Sequence, residues 1–188
     1  MEIEKFSIDN VLRISSINYE FELEQANSLF NKLKLMVKDD PSLKPLRIHL
    51  ADLIEKYENE HWTDENDITD IQIQESDLAE RLTNYRNTLI DQRKGRIKRK
   101  LKKLDLNQND LAKILGHRKN YMSELINGVR PFSQEDIIII HRVLGIKLDH
   151  LIIPVIKEKV ATRLRSVIKA LDKPELNLNG EDLSLEYA

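Results

Sequence analysis

The sequence predicts an all-α protein. An acidic helical hairpin comes first, a five-helix domain built around a helix-turn-helix follows, and one extra helix lies near the C-terminus. Three observations carry this expectation. Glycine and proline number only five each in 188 residues, and helix formers dominate. Apolar residues recur at spacings of three and four along most of the chain, the period of an amphipathic helix. Residues 106–131, LNQNDLAKILGHRKNYMSELINGVRP, hold two short periodic segments around a glycine, which is the layout of a helix-turn-helix.

Charge is segregated along the chain. Residues 1–90 hold 10 Lys and Arg against 19 Asp and Glu, residues 91–173 hold 20 against 9, and residues 174–188 hold none against 4. A basic middle between acidic ends is the pattern of a chain whose centre meets a polyanion. Cysteine is absent, so disulfides and thiolate metal sites are excluded. No apolar run approaches the roughly 20 residues of a membrane span, and no secretory signal is visible, so a cytoplasmic protein is the expectation. The five histidines are scattered, there is no Gly-rich phosphate loop and no serine in a nucleophile-elbow setting. No enzyme chemistry and no cofactor are therefore expected.

Residues 1–17 offer Ile3, Phe6 and Ile8, which suit either a short strand or loose packing. From Tyr19 to about Lys38, Leu23, Ala26, Leu29, Leu33 and Met36 mark a helix, which Asp39-Asp40-Pro41 stops. Pro45 suits the first turn of a second helix, carried by Leu46, Leu50, Leu53, Ile54 and Tyr57 to about His61. Such a hairpin cannot bury both apolar faces alone and needs the rest of the chain, a twin subunit or another protein. Its exposed carboxylates, Glu55, Glu58 and Glu60 among them, are either a solvated face or a surface for a basic partner. Residues 63–75 read as an acidic connector with a short strand at Ile71–Ile73. Ser76 is an N-cap candidate for a helix carrying Leu78, Leu82, Tyr85 and Leu89 on one face, and Gly95 is its weakest point.

Residues 93–103, RKGRIKRKLKK, contain eight Lys or Arg in eleven positions. Ile97, Leu101 and Leu104 keep one apolar face, so the run is an amphipathic helix. Its cations, Lys98, Arg99 and Lys102 among them, adjoin the helix-turn-helix and point to phosphate contact. In the motif, Leu111, Ala112 and Leu115 share a face. Ala112 is small enough to let a second helix cross closely. Met122, Leu125 and Ile126 face inward on that second helix, and Asn127-Gly128 stops it. Lys119, Asn120, Ser123 and Glu124 are then expected outside, the layout of a rod that reads the major groove.

This stretch resembles the helix-turn-helix of the Xre (lambda-repressor-like) family through Leu106, Gln108, Leu111-Ala112, Leu115-Gly116, Ser123, Asn127-Gly128 and Arg130-Pro131. Two positions depart from the family's habit. His117 follows the glycine where Val or Ile is common. Arg118 takes the N-cap position where Ser or Thr is common, and arginine cannot cap by accepting a bond. The resemblance implies that Gln108 binds a phosphate and braces the recognition helix. By the same resemblance Lys119, Asn120 and Glu124 face base edges, Arg118 and Ser123 assist, and Arg130 approaches the DNA backbone.

After Pro131, Ser133 and Asp136 form a capping box for a helix over Ile137–Leu144, closed by Gly145. Leu148–Ile152 gives a short fifth helix. Four successive isoleucines, Ile137 to Ile140, cannot all face one core, so one or two are expected at a dimer contact. Val160, Leu164, Val167, Ile168 and Leu171 mark the additional helix. Leu176, Leu178, Leu183, Leu185 and Tyr187 alternate in an acidic tail, which suggests disorder in the free chain or a strand awaiting a sheet. The divisions are 1–64 for the hairpin region, 65–88 for the connector and linking helix, 89–153 for the DNA-binding domain, 154–173 for the extra helix and 174–188 for the tail.

Taken whole, the chain is similar to HigA-type antitoxins, in which an acidic helical hairpin precedes an Xre helix-turn-helix. The hairpin here shows the same layout: a long helix, a turn with Asp40-Pro41, and a second helix ending YENEHW. That resemblance implies a homodimer that represses its own operon on double-stranded operator DNA and neutralises a HigB-type, mRNA-cleaving toxin. The toxin surface is expected in residues 19–62 rather than in the tail. Two other readings stay open. One is a stand-alone Xre-family transcriptional regulator whose hairpin only dimerises, and the other is an adaptor that does not bind DNA.

Overall fold

The computed structural model describes residues 5–63, 68–154, 158–171 and 173. Residues 1–152 form one compact unit and residues 153–188 a second. Among the described residues all regular structure is helical, as the sequence predicts. The α-helices are α1 (Glu20–Met36), α2 (Lys44–His61), α3 (Asp70–Lys103), α4 (Gln108–Leu115), α5 (Lys119–Ile126), α6 (Gln134–Leu144) and α7 (Glu158–Leu171). Single 3-10 turns lie at Val11–Arg13, Pro41–Leu43 and Leu148–His150, the last in place of the fifth helix.

The hairpin of α1 and α2 closes through Asp40, whose Oδ1 accepts a 3.1 Å bond from the Ser42 amide, with Pro41 next in the 3-10 turn. The core of this part joins Leu23, Ala26, Leu29, Leu33 and Met36 of α1 to Leu46, Leu50, Leu53, Ile54 and Tyr57 of α2. Leu33 and Leu50 are fully buried; a side chain so placed contributes about 1.5–3 kcal/mol. Residues 6–17 complete this core without forming a strand. Phe6, Val11, Ile14 and Ile17 are all buried in it, and Ile3 lies outside the described residues. Glu22 anchors the segment, its Oε2 accepting from the Asn18 amide at 2.9 Å and from Lys5 Nζ at 2.5 Å.

The connector differs from the sequence expectation. Ile71–Ile73 is helical, because α3 begins at Asp70, with Thr69 as N-cap accepting from the Gln72 amide at 3.2 Å. Ser76 therefore lies inside the helix. Ile71 is 69% and Ile73 43% exposed, so no core exists there to hold a strand. The helix then runs unbroken through Gly95. Its buried stripe is Ala79, Leu82, Thr83, Ile90, Arg93, Ile97 and Leu101; of the expected face Leu82 belongs to it, Tyr85 and Leu89 are partly buried, and Leu78 is half-exposed. Leu104 also leaves the expected face, as the exposed C-cap of α3. Contact with α1 selects the stripe: Ser28 Oγ and Lys32 Nζ both donate to Asn87 Oδ1, at 3.0 and 2.9 Å. Arg93 lies over the Phe132 ring and donates from Nη1 to the Leu151 carbonyl at 3.2 Å. Burial, and to a lesser degree Arg86, push its guanidinium down to about 10.

The second core gathers Ile97 and Leu101 of α3, Leu111 and Ala112 of α4, Met122, Leu125 and Ile126 of α5, and Phe132, Ile140, Leu144, Ile146 and Leu151. Of the four isoleucines Ile140 is fully buried and Ile138 is exposed. In the second unit, α7 carries the predicted extra helix, with Val167 and Leu171 exposed. The alternating tail lies outside the described residues. Among the described residues no helix is long and apolar enough to cross a membrane, and no group of three or more His, Asp or Glu is placed to hold a metal ion.

Candidate nucleic-acid interface

Helix α4 starts with a reciprocal capping box: Asn107 accepts from the Asn109 and Asp110 amides, and Asp110 accepts from the Asn107 amide at 3.0 Å. It ends at Gly116 in the left-handed region, φ 71°, where the His117 amide donates to the Ala112 carbonyl at 2.8 Å. That turn sets α5 across α4, with Ala112 buried beneath the crossing. Arg118 occupies the N-cap position of α5 and makes no capping bond. His117 replaces the expected aliphatic contact with a polar one. Its Nε2 lies 2.8 Å from Asp136 Oδ1, and Asp136 is also the third residue of the Ser133 capping box at the start of α6.

On α5 the inward face is Met122, Leu125 and Ile126, each essentially inaccessible. Arg118, Lys119 and Asn120 are exposed, and Ser123 is partly so. Glu124 departs from the expected outward set. It is 9% exposed, and its Oε2 accepts from Arg130 Nε. A second carboxylate, Asp9, pairs with Arg130 Nη1, and the Arg130 guanidinium stands 5.3 Å from the Tyr121 ring centroid. Asp9 and Glu124 hold the Arg130 guanidinium well above its ordinary range. Asn120 Nδ2 donates to Asp40 Oδ2 at 2.8 Å.

The basic part of α3 divides into two faces. Lys98 and Lys102 line a shallow groove with Gln108, Asn107 and Ile126, beside α4 and the end of α5. Arg99 faces a different shallow groove, with Arg96, Gly95 and Gln92. The structure thus brings Lys98, Lys102 and Gln108 together and sets Arg99 apart. Lys94 links the basic part of α3 to the end of α5, donating from Nζ to Asn127 Oδ1 at 2.7 Å, while Asn127 Nδ2 donates back to the Ser123 carbonyl at 2.9 Å.

Four residues have contacts at this surface that the sequence does not assign: Tyr121 and Asp9, which it leaves without a role, Lys94, read only as part of the basic run, and Asp40, read only as part of the helix stop and turn. Tyr121, 38% exposed, lies between the His117 ring and Arg130. A tyrosine among polar neighbours on an outward helix face is a usable signal. The other three have none, because their partners lie 33, 121 and 80 residues away.

Residues 97–151 match the family model described as helix-turn-helix. No curated protein and no solved structure gave a match. The match supports a helix-turn-helix domain of the Xre type over this segment, as in DNA-binding transcriptional regulators.

Proposed function

We propose that the chain is an antitoxin-repressor. It binds its own operator as a homodimer through α4 and α5, and it neutralises a basic, HigB-type toxin through the outer face of its N-terminal hairpin. The observation that favours this over a hairpin that only dimerises is where the hairpin's apolar residues go. Residues 6–17 and Val129 share the α1–α2 core, and α3 packs along α1, so the hairpin does not require a twin to bury its core. What it leaves outward on α2 is mainly negative charge: Asp52, Glu55, Glu58 and Glu60 are exposed, with Lys56 3.9 Å from Glu60, and Ile48 on α2 and Leu35 on α1 are the exposed apolar residues of the two helices. An RNA-cleaving toxin must carry cations to hold its substrate, and carboxylates on a rigid helix complement them.

Within this reading Lys119, Asn120 and Ser123 meet base edges, Arg118 assists, and Lys98, Lys102, Arg99, Gln108 and Arg130 serve the phosphate backbone. Glu124 acts mainly by positioning Arg130. One recognition helix covers few base pairs, so the dimer reads a palindrome with half-site centres about 10–10.5 base pairs apart.

Co-expression with any small basic reading frame found beside the gene tests the toxin half. The Glu55→Lys/Glu58→Lys/Glu60→Lys variant should lose toxin neutralisation while still footprinting the operator. Removal of residues 174–188 should leave neutralisation intact. A triple variant that still neutralises the toxin, or a tail deletion that frees it, moves the toxin surface off the hairpin. If the intact chain neutralises no neighbouring toxin, the reading reverts to a stand-alone regulator.

A further inference from the structure

Two carboxylates of the N-terminal region sit on the residues that the reading above assigns to DNA. Asp40, in the α1–α2 turn, accepts from Asn120 Nδ2 at 2.8 Å. Asp9, ahead of the first 3-10 turn, pairs with Arg130. We propose that Asp9 and Asp40 are an intramolecular substitute for DNA, Asp9 for a phosphate on Arg130 and Asp40 for a base-edge acceptor on Asn120, and that they hold the free chain in a self-inhibited state by occupying these two residues. The inference rests on the assignment of α5 as the DNA-reading helix and concerns the regulation of that same site.

The geometry supports a built contact. Asp40 is anchored from one side, where Oδ1 accepts from the Ser42 amide at 3.1 Å and from Ser42 Oγ at 2.5 Å, and this directs Oδ2 at Asn120. Beneath Arg130, Val129 is buried in the hairpin core while its neighbour Gly128 packs on Ile90 of α3. The hairpin and the end of the recognition helix therefore share packing, and the two carboxylates are held in place by more than their own bonds. A carboxylate at the tip of a reading helix takes the donor that a base or phosphate needs, and it adds negative charge where the duplex backbone arrives. Both contacts are also releasable. Asp9 is 55% exposed in its pair, and the Asp40–Asn120 bond lies at the surface, where such interactions are weak and compete with solvent.

The test uses the full-length chain and two duplexes, the region upstream of the gene and a mixed-sequence control, with Kd measured at fixed salt. Asp9→Asn and Asp40→Asn should each tighten binding to the upstream duplex several-fold, and the double variant by about tenfold or more. Asp39→Asn removes a neighbouring exposed charge that does not bond to α5, and it should gain clearly less than Asp40→Asn. The gain from Asp40→Asn should vanish in an Asn120→Ala background, because the carboxylate then has no reading group to occupy. Circular dichroism and Tm confirm that each variant is folded. Gains equal to that of Asp39→Asn, or a gain that survives in Asn120→Ala, overturn the self-inhibition. If neither the parent nor any folded variant binds either duplex, the DNA-reading assignment itself fails. If only the variants bind, both stand.

Discussion

Gly128 faces Ile90 so closely that a Cβ on the glycine would lie 2.5 Å from Ile90 Cγ2. The same glycine has φ +68°, so two separate demands, left-handed backbone and close approach to α3, fall on the residue that follows the C-cap of α5. Gly116 meets only the first demand. Its φ is +71° and a Cβ there would meet nothing within 4 Å.

That contrast gives a stability prediction. Gly116→Ala should cost about 1–2 kcal/mol, the left-handed penalty alone. Gly128→Ala should cost about 1–3 kcal/mol more, from forcing Ile90 out of its place. Chemical denaturation of both variants measures the difference. Equal costs would mean that Ile90 relaxes freely and that its packing on Gly128 does not define the α3–α5 junction.

The two faces of the basic helix predict different salt behaviour. Lys98→Gln and Lys102→Gln, in the groove shared with Gln108, should each flatten the slope of log K against log salt by about 0.9, similarly on all DNA sequences. Arg99→Gln, on the other face, should change the slope less. A slope unchanged in the Lys98→Gln/Lys102→Gln double variant would mean that these cations only solvate the helix.

On α5, Lys119→Ala and Asn120→Ala should relax base preference by about 1–3 kcal/mol for each bidentate hydrogen-bond pair removed. Glu124→Ala should act differently. It removes a buried partner of Arg130, so stability should drop by about 1–3 kcal/mol, with affinity lowered on every sequence alike. A Glu124→Ala variant of unchanged stability and altered base preference would return Glu124 to the reading face.

Glu20 predicts a reporter for the hairpin. It is buried, and its Oε1 accepts from Tyr57 Oη at 2.9 Å and from Trp62 Nε1 at 3.1 Å, while Oε2 has no partner among the described residues. Burial and the Glu20 carboxylate push the Tyr57 hydroxyl well above its ordinary range. Glu20→Gln keeps an acceptor for both donors and removes a charge that has no ion pair among the described residues, so it should be neutral or stabilising. Glu20→Ala leaves both donors unmet and should cost about 1–3 kcal/mol, with a shift in the emission of Trp62, the single tryptophan of the chain. A destabilised Glu20→Gln would show that the negative charge itself is needed there.

The local features of this protein were legible in the sequence because they depend on near neighbours. The α1 and α2 periods, the Ser133–Asp136 box, and the stops at Gly116, Gly128 and Gly145 all follow from side chains acting within one or two turns. So did the inward set Met122, Leu125 and Ile126. Only the tertiary structure decided which face of α3 is buried. Thr83 and Arg93 belong to that stripe, and a reading based on apolar spacing passes over polar members whose burial is set by α1, Phe132 and Leu151. It also turned Glu124 inward toward Arg130, and it placed Asp9 against Arg130, just past the end of α5, and Asp40 against Asn120 in its first turn. A hydrogen bond spanning 80 or 121 residues leaves no periodic trace in a chain, because it is fixed by the packing of whole helices and not by the residues beside it.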